Sequence, residues 1–234
     1  MSTVTDSLRA LGAAQKSSKG VSLYSRYINR PFGRVLAALA HSAGLTPNAV
    51  TAVSAIVTAG GIAVLALVPP TWWSGILVAA LLVVGFALDS ADGQVARLRG
   101  GGSAAGEWLD HVVDAGKMVA LHAAVLIGFA RFTDLDAAAL LVPLGYQFVA
   151  VVMFAGGTLA LVLKHKAPAG APAAAPSTVR AVGLLPADYG VLAFSFVFWG
   201  IPALYFVLYT ILFIVNALIG AALLVKAFRE LSRQ

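Results

Sequence analysis

Long apolar runs, separated by short polar or Pro/Gly-containing breaks, dominate the chain. A bilayer's hydrocarbon core takes about 20 apolar residues per helical crossing, and the runs predict six spans. The first follows the segment LTPNAV and covers residues 49–68, ending at Pro69-Pro70. The second, third and fourth cover 73–88, 108–130 and 137–163. A short fifth span, 189–199, is divided from a sixth, 204–225, by the turn WGIP at 199–202, where Gly-Ile-Pro interrupts the helical pattern. Residues 22–40 mix aromatic and aliphatic positions with Arg26, Arg30 and Arg34, which predicts an amphipathic helix lying in the membrane interface. The fold expected is therefore an all-α integral membrane protein of six transmembrane helices, with a segment 1–48 ahead of a membrane domain 49–234. Within that domain the Ala/Pro-rich stretch 167–179 reads as a linker.

Composition agrees. Sixty per cent of the 234 residues are hydrophobic and 11% are charged, against about 25% charged in soluble domains; mean hydropathy is +0.89. The absence of cysteine excludes disulfides and thiolate metal sites. The first 35 residues carry six basic residues without a continuous apolar core, so no signal peptide is expected. A net charge of +6 raises nucleic acid as a partner. In a chain this apolar it is better read as basic loops against anionic lipid headgroups. If the N-terminus lies inside, 14 of the 16 Lys and Arg residues fall in inside segments; only Arg131 lies in an outside loop and Lys117 within a span. That asymmetry predicts both termini in the cytoplasm.

One stretch breaks the apolar pattern. Residues 87–117, ALDSADGQVARLRGGGSAAGEWLDHVVDAGK, hold five of the ten acidic residues between two apolar spans. Asp89 and Asp92 are three apart and Asp110 and Asp114 four apart, so each pair shares a helix face. The glycines between them let the chain turn back, so that the pairs can face one another. Uncompensated, each Asp at a membrane helix centre costs roughly 2.5–3.5 kcal/mol, and mutual repulsion adds to that. A divalent cation resolves the conflict: Mg²⁺ or Mn²⁺ favours all-oxygen ligands and binds through carboxylates together with substrate phosphates. Gly93 and Ala96 leave room for a flat ligand, and Arg97 supplies a fixed charge suited to phosphate. His111 is expected to pack or hydrogen-bond rather than ligate, and Asp188 to make one further polar contact. Gly60-Gly61 and Gly156-Gly157 fit helix–helix packing.

From Asp89 the pattern reads Asp-x2-Asp-Gly-x2-Ala-Arg-x8-Gly-x3-Asp-x3-Asp, filled by Asp89, Asp92, Gly93, Ala96, Arg97, Gly106, Asp110 and Asp114. This resembles the signature of the CDP-alcohol phosphotransferases, as do the span layout and the LTPNAVT lead-in. The resemblance implies that an acceptor hydroxyl attacks the β-phosphorus of a CDP-linked donor and CMP leaves. It implies two Mg²⁺ or Mn²⁺ ions held by Asp89, Asp92, Asp110 and Asp114, with Asp114 also the catalytic base. Asp89, Asp92, Gly93, Ala96, Arg97 and Gly106 would form the nucleotide site, and the protein would be a homodimer in the cytoplasmic membrane with its active site facing the cytoplasm.

The donor is expected to be CDP-diacylglycerol or another CDP-alcohol, the acceptor a small or lipid alcohol such as inositol phosphate or glycerol phosphate. Residues 19–31, KGVSLYSRYINRP, are similar to the lead of the branch that makes inositol phosphodiesters. A phosphorylated acceptor needs cations beyond the signature: Lys117, Lys164, Lys166 and Arg180 are available. Lys164 and Lys166 equally fit inside-facing loop charges, and Lys117, one turn beyond Asp114, can instead pair with the acids. Two other classes stand beside the transferase. An intramembrane prenyltransferase also binds diphosphate through magnesium, but with Asp-rich motifs far apart in sequence. A cation transporter would place its acids near the midplane on broken helices.

Overall fold

The computed structural model describes residues 3–13, 21–165 and 178–233. All regular elements among them are helical: α1 (Val4–Ala13), α2 (Arg30–Ser42), α3 (Pro47–Leu67), α4 (Trp72–Leu98), α5 (Ala104–Phe132), α6 (Leu141–His165), α7 (Thr178–Gly183), α8 (Tyr189–Ser195) and α9 (Pro202–Leu231). A wide π-type turn, Ser25–Asn29, runs into α2, and a tight 3₁₀ stretch, Phe196–Gly200, follows α8. Local chemistry sets the boundaries. Thr46 caps α3, its hydroxyl accepting from Ala49 N at 3.2 Å with Pro47 at the first turn, and α3 stops ahead of Pro69-Pro70. Thr71 and Ser74 cap α4 reciprocally. The return between α4 and α5 uses Gly100 and Gly101 at φ +89° and +137°, a region open mainly to glycine, and Ser103 then caps α5.

Among the described residues five helices, α3, α4, α5, α6 and α9, are long and apolar enough to cross a membrane. The predicted fifth span is shorter than a crossing. Asp188 caps its start, Gly200-Ile201-Pro202 ends it, and α8 with its 3₁₀ continuation reaches about 20 Å at 1.5–2.0 Å per residue. A hydrocarbon core is about 30 Å thick. The second predicted span is longer than its apolar run: α4 continues past Leu88 to Leu98 and carries the first acidic pair on its last turns.

Close helix packing depends on small residues. Gly33 and the alanines of α2 lie on α4, where a Cβ at Gly33 would come within 2.9 Å of Ala87 O. Gly85 sits under Thr58 of α3, and the Ser54 hydroxyl donates to Gly85 O at 2.8 Å. Gly61 and Gly156 serve as packing surfaces, against Leu81 and Leu82 and against Leu224; Gly157 faces open space and Gly60 makes only an ordinary contact. Between α4, α5, α8 and α9 lies an aromatic core of Phe129, Phe196, Trp199, Tyr205 and Tyr209, each fully buried. α1 has no counterpart in the apolar pattern. It drops Leu11 into a small-residue cradle of Ala37, Ala40, Val50, Ala91 and Val95, and its Ser7 hydroxyl bonds His41 Nδ1 at 3.0 Å.

Candidate active site

The glycine turn brings the end of α4 against the start of α5, and the two acidic pairs meet there. Asp89, Asp110 and Asp114 each direct a carboxylate oxygen to within 4.8 Å of the others. Asp92 stands apart from that trio: its Oδ2 accepts from the Thr51 hydroxyl of α3 at 2.6 Å, and its Oδ1 accepts from Gly93 N. With 7% exposure it is the most buried of the four, which is why a hydroxyl from the neighbouring helix is needed to solvate it.

Lys117 completes the cluster from within. Its ammonium donates to Asp89 Oδ1 at 2.6 Å, to Asp114 Oδ1 at 3.2 Å and to the Ser54 hydroxyl at 3.0 Å. It thereby ties α3 and α4 to α5. Lys164 lies elsewhere, paired with Glu230 of α9, which Lys226 also approaches at 3.6 Å. Lys166 is outside the described residues, and Arg180 is described only as part of α7. Of the cations expected to serve an acceptor, the two whose side chains are described, Lys117 and Lys164, have separate partners.

The rest of the signature forms an open platform beside the acids. The nearest atom to a Cβ built at Gly93 is Arg97 Nη1 at 3.8 Å, so one exposed helix face presents bare backbone next to a guanidinium. Arg97 Nε is buried without a hydrogen-bond partner among the described residues. Ala96 lies under Gly102 of the turn, and Gly106 lies against Asn48 of α3, whose Oδ1 would be 3.0 Å from an added Cβ. Two spaces adjoin. A cavity of about 130 Å³ runs inward from Asp89 and Asp114, bounded by Thr58, Phe86, Met118 and Tyr189. A groove of about 620 Å³ lies between α5 and α6, apolar except for Glu107, His111 and Thr158. Phe154 belongs to both, and His111 packs edge-on against it at 6.1 Å.

An all-oxygen donor set suits hard divalent cations. Mg²⁺–oxygen distances of about 2.1 Å place ligand oxygens about 3–4 Å apart around one ion, so a trio within 4.8 Å can close on a metal with small side-chain rotations. The sequence did not flag Thr51, Ser54, Thr58 or Tyr189, since isolated hydroxyls inside apolar helices look like ordinary packing residues. Asp188 was flagged and is engaged away from the acids: it caps α8 through Gly190 N at 2.8 Å and accepts from the hydroxyls of Ser25, at 2.5 Å, and Ser22.

The sequence model of the CDP-alcohol phosphatidyltransferase family matches residues 44–228, from the residues just before α3 into α9. No curated protein sequence matches the chain at a significant level. Among solved structures, the fold is similar to that of Mycobacterium tuberculosis phosphatidylinositol phosphate synthase (PgsA1). With manganese and citrate, that protein superposes at a TM-score of 0.50 and 20% identity over 84% of this chain and 88% of the other. With CDP-DAG bound, the values are 0.51 and 20%, over 84% and 93%. The match contains the whole signature and both helices that assemble it: the chain belongs to the CDP-alcohol phosphatidyltransferase family, metal-dependent membrane enzymes that transfer a substituted phosphate from a CDP-linked donor to an alcohol.

Proposed function

We propose that the protein transfers a phosphatidyl group from CDP-diacylglycerol to a hydroxyl of a small polar alcohol, with inositol phosphate the first acceptor to test and glycerol phosphate the second. The observation that carries this reading is the convergence of Asp89, Asp110 and Asp114 beside an open glycine platform, with a small cavity at Asp89 and Asp114 that shares Phe154 with the apolar groove. The platform of Gly93, Ala96 and Gly106 takes the cytidine nucleotide, with Arg97 beside its phosphates. The groove beside Phe154 takes the lipid part. Asp89, Asp92, Asp110 and Asp114 hold Mg²⁺ or Mn²⁺, whose role when bound is to neutralise the diphosphate and stabilise the charge that passes to the leaving CMP. Asp114 faces the inner cavity and receives the acceptor's proton as its oxygen bonds to the β-phosphorus. The bond from that phosphorus to the CMP oxygen breaks in the same displacement. Support for the donor comes from the CDP-DAG complex of the similar mycobacterial synthase, and for the acceptor from that synthase's name together with the lead segment 19–31.

The lipid-facing geometry extends the reading. Tyr27, Ile28, Phe32, Val35 and Leu39 leave one face of the first amphipathic segment exposed and apolar beside Arg26 and Arg34, which supports a place in the inner membrane interface. The distribution of basic residues supports cytoplasmic termini and a cytoplasmic active site. A further crossing at residues 189–199, completed by the residues that flank α8 and its 3₁₀ stretch, the division at residue 48 and a homodimer belong to the same proposal. The test is a donor–acceptor matrix with the purified protein and Mn²⁺ or Mg²⁺, scored by CMP release and product mass. CDP-diacylglycerol with inositol phosphate is expected to give CMP and a phosphatidylinositol phosphate in equal amounts. Binding of CDP compounds without CMP release from any pair would refute the transferase assignment.

A further inference from the structure

Lys117 occupies a position that its sequence context does not demand. Its side chain is 12% exposed in the middle of three packed helices, and a buried ammonium is retained only where fixed partners replace its water. Here the partners are an oxygen from each of Ser54, Asp89 and Asp114, at 3.0, 2.6 and 3.2 Å. That is a cation between two carboxylates from different helices, with an all-oxygen shell, at the place where the family's chemistry requires a metal. Ammonium and divalent ion compete for Asp89 Oδ1. With the ammonium at 2.6 Å from that oxygen, a metal on it at about 2.1 Å would stand roughly 4–5 Å from the ammonium and repel it in a low-dielectric site. The adjoining cavity of about 130 Å³ offers the ammonium another place. Tyr189 lines that cavity, and its hydroxyl is buried without a hydrogen-bond partner among the described residues.

We propose that Lys117 is a resident counter-cation of the acid site: it holds Asp89 and Asp114 together before metal binds, and on loading it swings into the cavity towards Tyr189 Oη. This rests on the reading of Asp89 and Asp114 as metal ligands. It makes Lys117 a positioning residue that sets metal affinity, not an acceptor contact. Opposite signs follow for two substitutions. Removing the ammonium removes a competitor, whereas removing the hydroxyl removes the competitor's alternative partner.

The experiment uses the full chain in detergent at pH 8 with Mn²⁺ alone, free Mn²⁺ being read by electron paramagnetic resonance and melting followed in EDTA and in Mn²⁺. Lys117→Met is expected to bind Mn²⁺ about tenfold more tightly, the scale of one charge-assisted contact, while melting at lower temperature in EDTA. Tyr189→Phe is expected to bind about tenfold more weakly, as for one hydrogen bond to an ionised group, with its melting in EDTA unchanged. The double variant should bind as Lys117→Met does. If Asp110→Asn fails to weaken Mn²⁺ binding, the metal-site reading falls and takes this proposal with it. If Asp110→Asn abolishes binding but Lys117→Met binds no more tightly than the native protein, the counter-cation role alone is overturned. Should Lys117→Met not fold, unchanged Mn²⁺ affinity in Tyr189→Phe decides against it.

Discussion

Helix α5 carries two buried polar clusters, and they are built in opposite ways. Its first half supplies Asp110, Asp114 and Lys117, full charges held near a glycine turn with the Asp89 and Asp114 side chains 19% and 30% exposed. Its middle supplies His122, 2% exposed, with Nδ1 2.5 Å from the Tyr209 hydroxyl and the ring 4.4 Å from that of Tyr146. The second cluster has no formal charge to solvate, so an aromatic cage and one hydrogen bond suffice to seal it. The first cannot be sealed in that way, because ionised carboxylates need water, a cation or a ligand. Along α5, charge therefore sits where something can reach it, and neutral polarity sits where nothing does.

That contrast can be broken from either side. The largest effect is expected from Asp114→Asn, which keeps the shape but removes the proposed proton acceptor: CMP release should fall by about a thousandfold or more, at the upper end of general-base contributions, while CDP-compound binding in an equilibrium assay is largely kept. Phe129→Ala attacks the sealed side, taking out a fully buried ring packed on Trp199, Tyr205 and Tyr209. A loss of about 3–5 kcal/mol is expected, read as reduced stability in a reversible denaturation of the detergent-solubilised protein. Thr51→Val deletes the hydroxyl that solvates the Asp92 carboxylate. A hydrogen bond to a charged group contributes about 1.5–3 kcal/mol, so kcat/KM for the CDP donor should drop at least tenfold with the global fold intact by circular dichroism. Tyr209→Phe is the mildest, removing only the bond to His122 for about 1 kcal/mol of stability. Its Mn²⁺ binding and turnover should match the native protein, and a change in either would mean that the two clusters communicate.

The sequence made the acid site readable because charges in apolar helices are rare enough that their spacing carries information. Asp89, Asp110 and Asp114 meet as their i,i+3 and i,i+4 spacing across a glycine turn anticipated. The turn of Asp92 towards Thr51 was not legible, since it depends on which face of α3 packs against α4. The long spans were equally clear from hydropathy. The short one was not, because an apolar run of eleven residues at 189–199 reads the same whether it crosses a membrane or braces other helices. Lys117 was ambiguous from spacing alone, and the positions of Ser54 and Asp89 across two other helices resolve what it touches. Helix α1 was not legible because Val4, Leu8 and Leu11 keep helical spacing over only ten residues, too short a window for the pattern to stand out.

The hydrogen bonds from Ser22 and Ser25 to Asp188 join residues up to 166 positions apart, and this sets an order of assembly. At about 5–20 residues per second of synthesis, Asp188 emerges roughly 8–33 s after Ser22. During that interval the amphipathic segment can already rest on α4 through Gly33 and Ala37, but its leading turn has only the stack of Tyr24 on Phe86 and lacks the carboxylate that Ser22 and Ser25 bond. That turn is among the last parts to be locked, although α1 ahead of it already has its partners on α2, α3 and α4, so a ribosome stalled before residue 188 should leave residues 21–25 open to protease on an otherwise inserted bundle.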